Sequence, residues 1–311
     1  MSFRDEEPVL PYLLASLESL VDGIVAMDDG STDDGAARLR SSGAIVVPAP
    51  PGTTFGQRRQ LLLEEGRRRR GTHFVVVDAD EAFTATLSRK GRHLIEALAP
   101  GDAMGLPFYT LWKGAQRYRA GREYDLPIWT VFADDGVSAH PDARIHEARI
   151  PPGLAGGRRV LPAAQGGMVH LQFVSWDRAQ VKQAWYRCKE RLDGASPLRV
   201  NARYLLTLDG PLVRSRPIDP AWVSHLPSLE TLESRDAGWQ LDQLLNWFDR
   251  YTPAYFEPLQ IWHVPVLRQA FEAAEGRPPR PARFTPHLAR FAGDVYGSTR
   301  AVARRIVRWL R

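Results

Sequence analysis

Hydrophobic and polar positions alternate along this chain in blocks that switch between helical and strand-like spacing. Leu10, Leu13, Leu14, Leu17 and Leu20 recur at helical intervals behind Asp5-Glu6-Glu7, an acidic opening that suits a helix N-terminus. An apolar run at 23–27 predicts a buried strand, 33–40 a short helix closed near Gly43, and 44–47 a second strand. A Pro-rich loop (Pro48, Pro50, Pro51) leads to a predicted helix over 56–70, and 73–77 is a third apolar run. This βαβαβ order predicts a parallel sheet with helices on both faces. A further helix is expected over 87–98, an apolar stretch over 104–108, and an irregular, aromatic-rich region over 109–162 with a strand-like piece at 128–132. Helical spacing returns at 177–192, 241–256 and 264–274, and 276–282 has the composition of a linker. The expected fold class is α/β, a Rossmann-like, mostly parallel sheet flanked by helices, followed by a mainly helical C-terminal extension. The domains are expected at 1–215 and 216–311.

Two apolar runs end in carboxylates. Gly23-Ile-Val-Ala-Met27 runs into Asp28-Asp29-Gly30-Ser31-Thr32-Asp33, and His73-Phe-Val-Val-Val77 into Asp78-Ala79-Asp80-Glu81. Both groups are expected at the C-terminal edge of one sheet, where open α/β sheets bind ligands. Gathered carboxylates repel one another unless a cation or ligand hydroxyls engage them. Hard ions such as Mg²⁺ or Mn²⁺ favour oxygen ligands and bridge readily to a diphosphate. A strand-to-helix turn with Asp and Ser capping accounts equally well for the first cluster taken alone.

Composition is ordinary for a globular protein, at 44% hydrophobic and 25% charged residues. One cysteine, Cys188, excludes an intrachain disulfide. The opening Met-Ser-Phe-Arg-Asp-Glu-Glu lacks the apolar core of a signal peptide, and no run reaches the ~20 apolar residues that span a bilayer. A cytoplasmic location is expected. The net charge of +5 suits anionic partners, but no nucleic-acid recognition motif accompanies it, so no nucleic acid is expected. The segment Thr299–Arg311 sets Val302, Ile306, Trp309 and Leu310 against five arginines. This basic amphipathic helix can dock on the protein or make peripheral contact with the inner face of a membrane.

The succession Arg4-Asp-Glu-Glu-Pro8, Val25-Ala-Met-Asp-Asp-Gly-Ser-Thr-Asp33, Arg59-Gln60 and Val75-Val-Val-Asp-Ala-Asp-Glu81 resembles family 2 glycosyltransferases of GT-A fold. The resemblance is clear over residues 3–85 and fades by about 190. It implies an inverting, metal-dependent transfer of a sugar from a nucleotide-diphospho-sugar donor to an acceptor hydroxyl. That acceptor would be a glycan, a lipid-linked glycan or a small molecule, in cell-envelope polysaccharide or glycoconjugate synthesis. By the same resemblance Asp28 and Asp29 bind the nucleoside, Arg59 the nucleobase or phosphate, Asp78 the ribose, and Asp80 the Mg²⁺ or Mn²⁺ ion. His146-Glu147 resembles a His-Glu pair that some members carry after the acceptor segment.

An inverting transfer needs a base to take the acceptor proton. Glu147 is the first candidate and Asp125 the second. His170, after a strand-like Gly-Met-Val, is a candidate to complete the metal shell or hold the diphosphate, with a satisfied core histidine as the plain alternative. Two other classes fit parts of the pattern. Val-Val-Val-Asp-Ala-Asp also resembles the nucleophile strand of haloacid-dehalogenase phosphotransferases, although Ala82 stands where that family places a hydroxylic residue. A catalytically idle nucleotide-sugar-binding module fits the same carboxylates.

Overall fold

The computed structural model describes residues 1–121, 124–142, 148–207, 209, 213–235 and 238–281. The strands, in chain order, are β1 (Ser2–Phe3), β2 (Val25–Asp28), β3 (Ile45–Pro48), β4 (His73–Val75), β5 (Glu81–Phe83) and β6 (Ala103–Leu106). They continue with β7 (Phe108–Thr110), β8 (Arg117–Ala120), β9 (Ile128–Ala133), β10 (Arg158–Val160), β11 (Met168–His170) and β12 (Arg214–Pro217). The helices are α1 (Leu10–Leu17), α2 (Gly35–Ser41), α3 (Phe55–Arg68), α4 (Ala85–Lys90), α5 (Arg92–Glu96) and α6 (Trp176–Leu192). They end with α7 (Pro197–Arg203), α8 (Pro220–Val223), α9 (Trp239–Tyr251), α10 (Pro253–Phe256) and α11 (Pro265–Glu275).

The architecture is α/β with a helical C-terminal region, and each predicted helix up to residue 70 forms within a few residues of its expected place. Thr54 starts α3 with a capping box: its hydroxyl accepts from the Gln57 N–H at 3.2 Å, and the Gln57 side chain accepts from the Thr54 N–H at 2.9 Å. The helix expected over 87–98 is two short ones divided at Gly91. The helix expected over 241–256 breaks at Thr252 (φ 63°) before Pro253, which has no N–H to continue the ladder.

The sheet differs most from expectation. β1, β2 and β3 pair in parallel, but β4 belongs to a second sheet ordered β10-β6-β9-β4, where it runs antiparallel to β9. The two carboxylate clusters therefore follow strands of different sheets. A third sheet, β5-β11-β7, and a two-stranded ribbon, β12-β8, complete the strands.

Among the described residues, contacts gather the chain into two compact units, one within 1–176 and 214–235, the other within 177–213 and 238–281. The chain crosses between them near 176, 213 and 235, where the sequence pattern offers a single boundary at 215. Periodicity shows that a helix has an apolar face, not which core that face joins. The first unit holds the three sheets. The second is a helical cluster around Ala184, Cys188, Leu244, Phe256 and Leu267. Cys188 is fully buried, and burial pushes its thiol up, so it packs as a small apolar side chain.

Helix α3 lies against β4 through Gly66. A Cβ placed there would meet the Phe74 ring at 2.3 Å, and Phe74 is itself stacked on Phe132 with ring centroids 5.3 Å apart. Gly66→Ala is expected to destabilise by about 1–3 kcal/mol despite alanine's better helix propensity. A lowered urea midpoint with an unchanged slope is the expected reading.

Candidate functional site

The first cluster is a turn closed by the chain that leaves β1. Phe3 pairs with Asp28, and beyond it Asp5, at φ 50°, turns back across the loop. Its carboxylate accepts from the N–H groups of Thr32 (2.6 Å) and Asp33 (3.3 Å), and its own N–H donates to the Ser31 hydroxyl at 3.1 Å. Asp28 accepts from the Ser31 N–H at 2.8 Å, while Asp33 accepts from the N–H groups of Glu7 (2.8 Å) and Gly35 (3.0 Å). Asp29 points elsewhere and is paired with Arg58. Part of this motif therefore shapes the turn. Asp28 and Asp29 remain half-exposed at its rim.

The second cluster is organised by pairing between β5 and β11. Their antiparallel register sets His170 opposite Glu81, and the Leu171 N–H donates to the Asp80 carbonyl at 2.8 Å. Asp80 precedes β5 and His170 ends β11, so this register brings their side chains to one place. The Asp80 carboxylate lies 3.6 Å from His170 Nε2. The His170 ring packs on Phe108 with centroids 5.2 Å apart.

Beside that pair sits a residue with no signal in the sequence. Arg149 donates to Asp78 Oδ2 at 2.8 Å and to both Glu81 oxygens at 2.5 and 2.6 Å. Glu81 is fully buried and also accepts from the Asp78 N–H at 2.8 Å. Burial pushes the Glu81 carboxyl up, against the opposing pull of Arg149. Burial alone would lower the Arg149 guanidinium, but Asp78 and Glu81 raise it well above its ordinary value. Glu81 is thus an internal counter-charge and Asp78 its partner across Arg149. Asp80 faces His170 and adds to the negative field around Arg149.

The two clusters flank a common core in the first unit, where Phe3 and Ala26 pack with Ala79 and Ala82. Arg59 is buried with its guanidinium 4.7 Å from the Phe55 ring centroid, and it is the neighbouring Arg58 that reaches Asp29. Asp125 lies exposed in a turn after β8, its N–H donating to the Gly121 carbonyl at 2.8 Å. Glu147 and His146 fall outside the described residues, as does the basic segment Thr299–Arg311.

Among the described residues no group of three or more His, Cys, Asp or Glu side chains is placed to hold a metal ion. The carboxylate of Asp80 and the imidazole of His170 nevertheless form a two-donor set that suits a divalent ion. Such an ion would take its remaining ligands from water or from a diphosphate, as Mg²⁺ commonly does.

His140 lies near these arginines, its N–H donating to Gln60 at 2.8 Å. Burial first, then the charges of Arg59 and Arg67, push its imidazole down to about 4. The folded state thus refuses a proton that the unfolded chain accepts near pH 6.5. That stability is present above about 6.5 and is lost as pH falls towards about 4. The total is on the order of 3 kcal/mol. Urea midpoints across this window should fall less steeply in His140→Gln than in the parent.

No protein-family model matches the chain, and no curated protein matches it. Among solved structures, a crystal structure of a mycobacterial protein aligns at 25% identity over 40% of this chain and 42% of that one, with a TM-score of 0.27. Glucosyl-3-phosphoglycerate synthase from Mycobacterium tuberculosis, solved in complex with phosphoglyceric acid, aligns at 23% identity over 37% and 43%, with a TM-score of 0.24. The alignments span less than half of either protein, and superpositions of this extent do not define a shared fold. Among the described residues no helix is long and apolar enough to cross a membrane.

Proposed function

We propose that the first unit is the catalytic part of a GT-A-type glycosyltransferase using a nucleotide-diphospho-sugar donor. More narrowly, we assign it a family 2-like, inverting transfer to an acceptor hydroxyl in cell-envelope polysaccharide or glycoconjugate synthesis. The observation that carries this reading is the Asp80–His170 pair, 3.6 Å apart and brought together by the pairing of β5 with β11. It stands next to carboxylates whose charge Arg149 already offsets.

In this reading Asp28 and Asp29 receive the nucleoside and Asp78 the ribose hydroxyls, with Arg59 on the nucleobase or phosphate side. Asp80 and His170 would hold Mg²⁺ or Mn²⁺, which supplies charge stabilisation for the departing diphosphate. Arg149 keeps Asp78 and Glu81 from repelling the incoming diphosphate. Glu147 takes the acceptor proton, with Asp125 as the second candidate. A haloacid-dehalogenase-type reaction would leave both the Asp28 turn and the Asp80–His170 pair without a role.

Calorimetric titration of the folded chain with UDP- and GDP-sugars, with and without Mn²⁺, tests the reading. Saturable binding of one donor that requires the metal is expected. Failure of every donor to bind would overturn it, and metal-dependent binding with no turnover on any acceptor would favour the idle binding module.

A further inference from the structure

The ribbon of β8 and β12, inside the first unit, carries two arginines that the fold does not use. In its register Arg216 stands opposite Tyr118 and Arg214 opposite Ala120, and cross-strand partners share a face, so both arginines project on one side. Two residues along a strand sets them about 7 Å apart. Both are exposed, and among the described residues neither side chain has a hydrogen-bond or carboxylate partner. The next acid along the chain, Asp219, caps α8 by accepting from the Ala221 N–H at 2.9 Å. Arg117 differs. It lies on the other face and donates across the ribbon to the Ser215 hydroxyl at 2.9 Å and the Ser215 carbonyl at 2.8 Å. It pins β12 to β8, so Arg214 and Arg216 project from a fixed strand.

The face that bears these two arginines continues into an aromatic floor. Leu111 bridges to Tyr118, and Tyr109, two residues before Leu111, falls on the same side. The Tyr109 and Tyr118 ring centroids are 5.3 Å apart, and Trp222 of α8 lies 4.3 Å from the first and 6.0 Å from the second. All three rings are half-buried. Among the described residues neither phenol hydroxyl nor the indole N–H has a hydrogen-bond partner, although Tyr and Trp side chains at a packed surface usually find one. Hydrocarbon with convergent polar edges suits a sugar ring, whose C–H face is rimmed by hydroxyls. Single-stranded nucleic acid fits less well, because its sites track the backbone with a continuous basic groove. The arginines add a charge requirement, since a guanidinium fork matches a carboxylate or a phosphate. A phosphomonoester concentrates nearly two charges at one point and suits converging cations. Two separated single cations suit two separated single charges.

We infer that this face is a second binding site, which holds a glycan bearing carboxylate groups. Arg214 and Arg216 take the carboxylates, while Tyr109, Tyr118 and Trp222 receive a sugar ring. The site is distinct from the Asp80–His170 pair, because successive residues of β7 point to opposite faces and it is Phe108 that packs on His170. The two are neighbours nonetheless, since Thr110 pairs with His170 in the β7–β11 ladder. The binding stands whether or not Asp80 and His170 hold a metal.

Calorimetric titration of the folded chain with short uronate oligosaccharides tests it. Oligogalacturonate, oligomannuronate and hyaluronan fragments are each compared with their carboxyl-reduced, neutral forms. No donor or metal is added, so the result is independent of the donor titration. At least one uronate is expected to bind roughly tenfold or more tightly than its neutral form, as hydrogen bonds to charged groups require. That preference should shrink as salt is raised. Arg214→Gln combined with Arg216→Gln should erase it while leaving Tm unchanged, because both side chains are exposed. Tyr118→Phe keeps the ring and its packing and should weaken acidic and neutral forms alike by several-fold. No uronate binding at millimolar ligand, equal affinity for acidic and neutral forms, or a preference that survives the double arginine variant would each overturn the proposal. Unchanged affinity in Tyr118→Phe would do the same for the aromatic floor. A single-stranded oligonucleotide bound more tightly than every uronate would also overturn it and mark a nucleic-acid surface instead.

Discussion

Asp80→Asn is expected to remove metal-dependent donor binding while leaving the fold intact. The substitution keeps the shape of the side chain and the backbone carbonyl that accepts from the Leu171 N–H, so the β5–β11 junction is preserved. It removes the carboxylate charge set opposite His170 Nε2 at 3.6 Å. A neutral amide oxygen is a poor partner for a hard divalent ion, and among the described residues the neighbouring carboxylates of Asp78 and Glu81 are engaged by Arg149. Altering groups behind metal ligands already costs 10–100-fold in affinity, so losing a direct ligand should cost roughly 100-fold or more. Titration with Mn²⁺ and the binding donor, alongside a thermal melt, gives the reading. Unchanged affinity would remove Asp80 from the site. His170→Ala should weaken binding in the same direction, whereas Asp125→Ala, at an exposed turn, should leave donor affinity near the parent value.

How much of this was legible beforehand depends on the length scale of the interaction. The helix led by Leu10, Leu13 and Leu17, and the capped helix that follows Thr54, are written locally, in spacing and in a capping pair three residues apart. Both carboxylate clusters were visible as polar residues closing apolar runs. Strand partnership was not, because 23–27 and 73–77 look alike as buried runs and nothing within either states which strand lies beside it. The partner of the second run, β9, lies more than fifty residues away, beyond the reach of any local pattern. Arg149 was hidden for a related reason. An arginine beyond His146-Glu147 carries no spacing that ties it to Glu81, and only folding brings the two together. Glu81 belongs to an acidic cluster that, read from sequence, calls for an outside cation, yet the fold supplies an internal one in Arg149. The end of a short apolar run marks His170 as a candidate, but nothing local ties it to Asp80; the β5–β11 register does that.

Arg149→Leu should produce the largest loss of stability among substitutions in the first unit. Among the described residues it leaves the fully buried Glu81 carboxylate with the Asp78 N–H as its remaining hydrogen-bond donor. Removing one member of a buried pair costs about 3–5 kcal/mol, because the remaining charge stays desolvated and uncompensated. For a unit of this size that corresponds to a fall in Tm of roughly 6–20 °C. The sign of the pH dependence separates this cause from a simple loss of packing. Burial already pushes the Glu81 carboxyl up, and without Arg149 the opposing pull disappears. The folded variant therefore binds a proton that the unfolded chain releases above its ordinary carboxylate range, so its deficit should shrink as pH is lowered towards that range. Adding Glu81→Gln should recover much of the loss at neutral pH, since the amide keeps an acceptor for the Asp78 N–H and carries no charge. A double variant no more stable than Arg149→Leu, or a deficit independent of pH, would show that Arg149 acts through its hydrocarbon stem and not by offsetting the carboxylate beneath it.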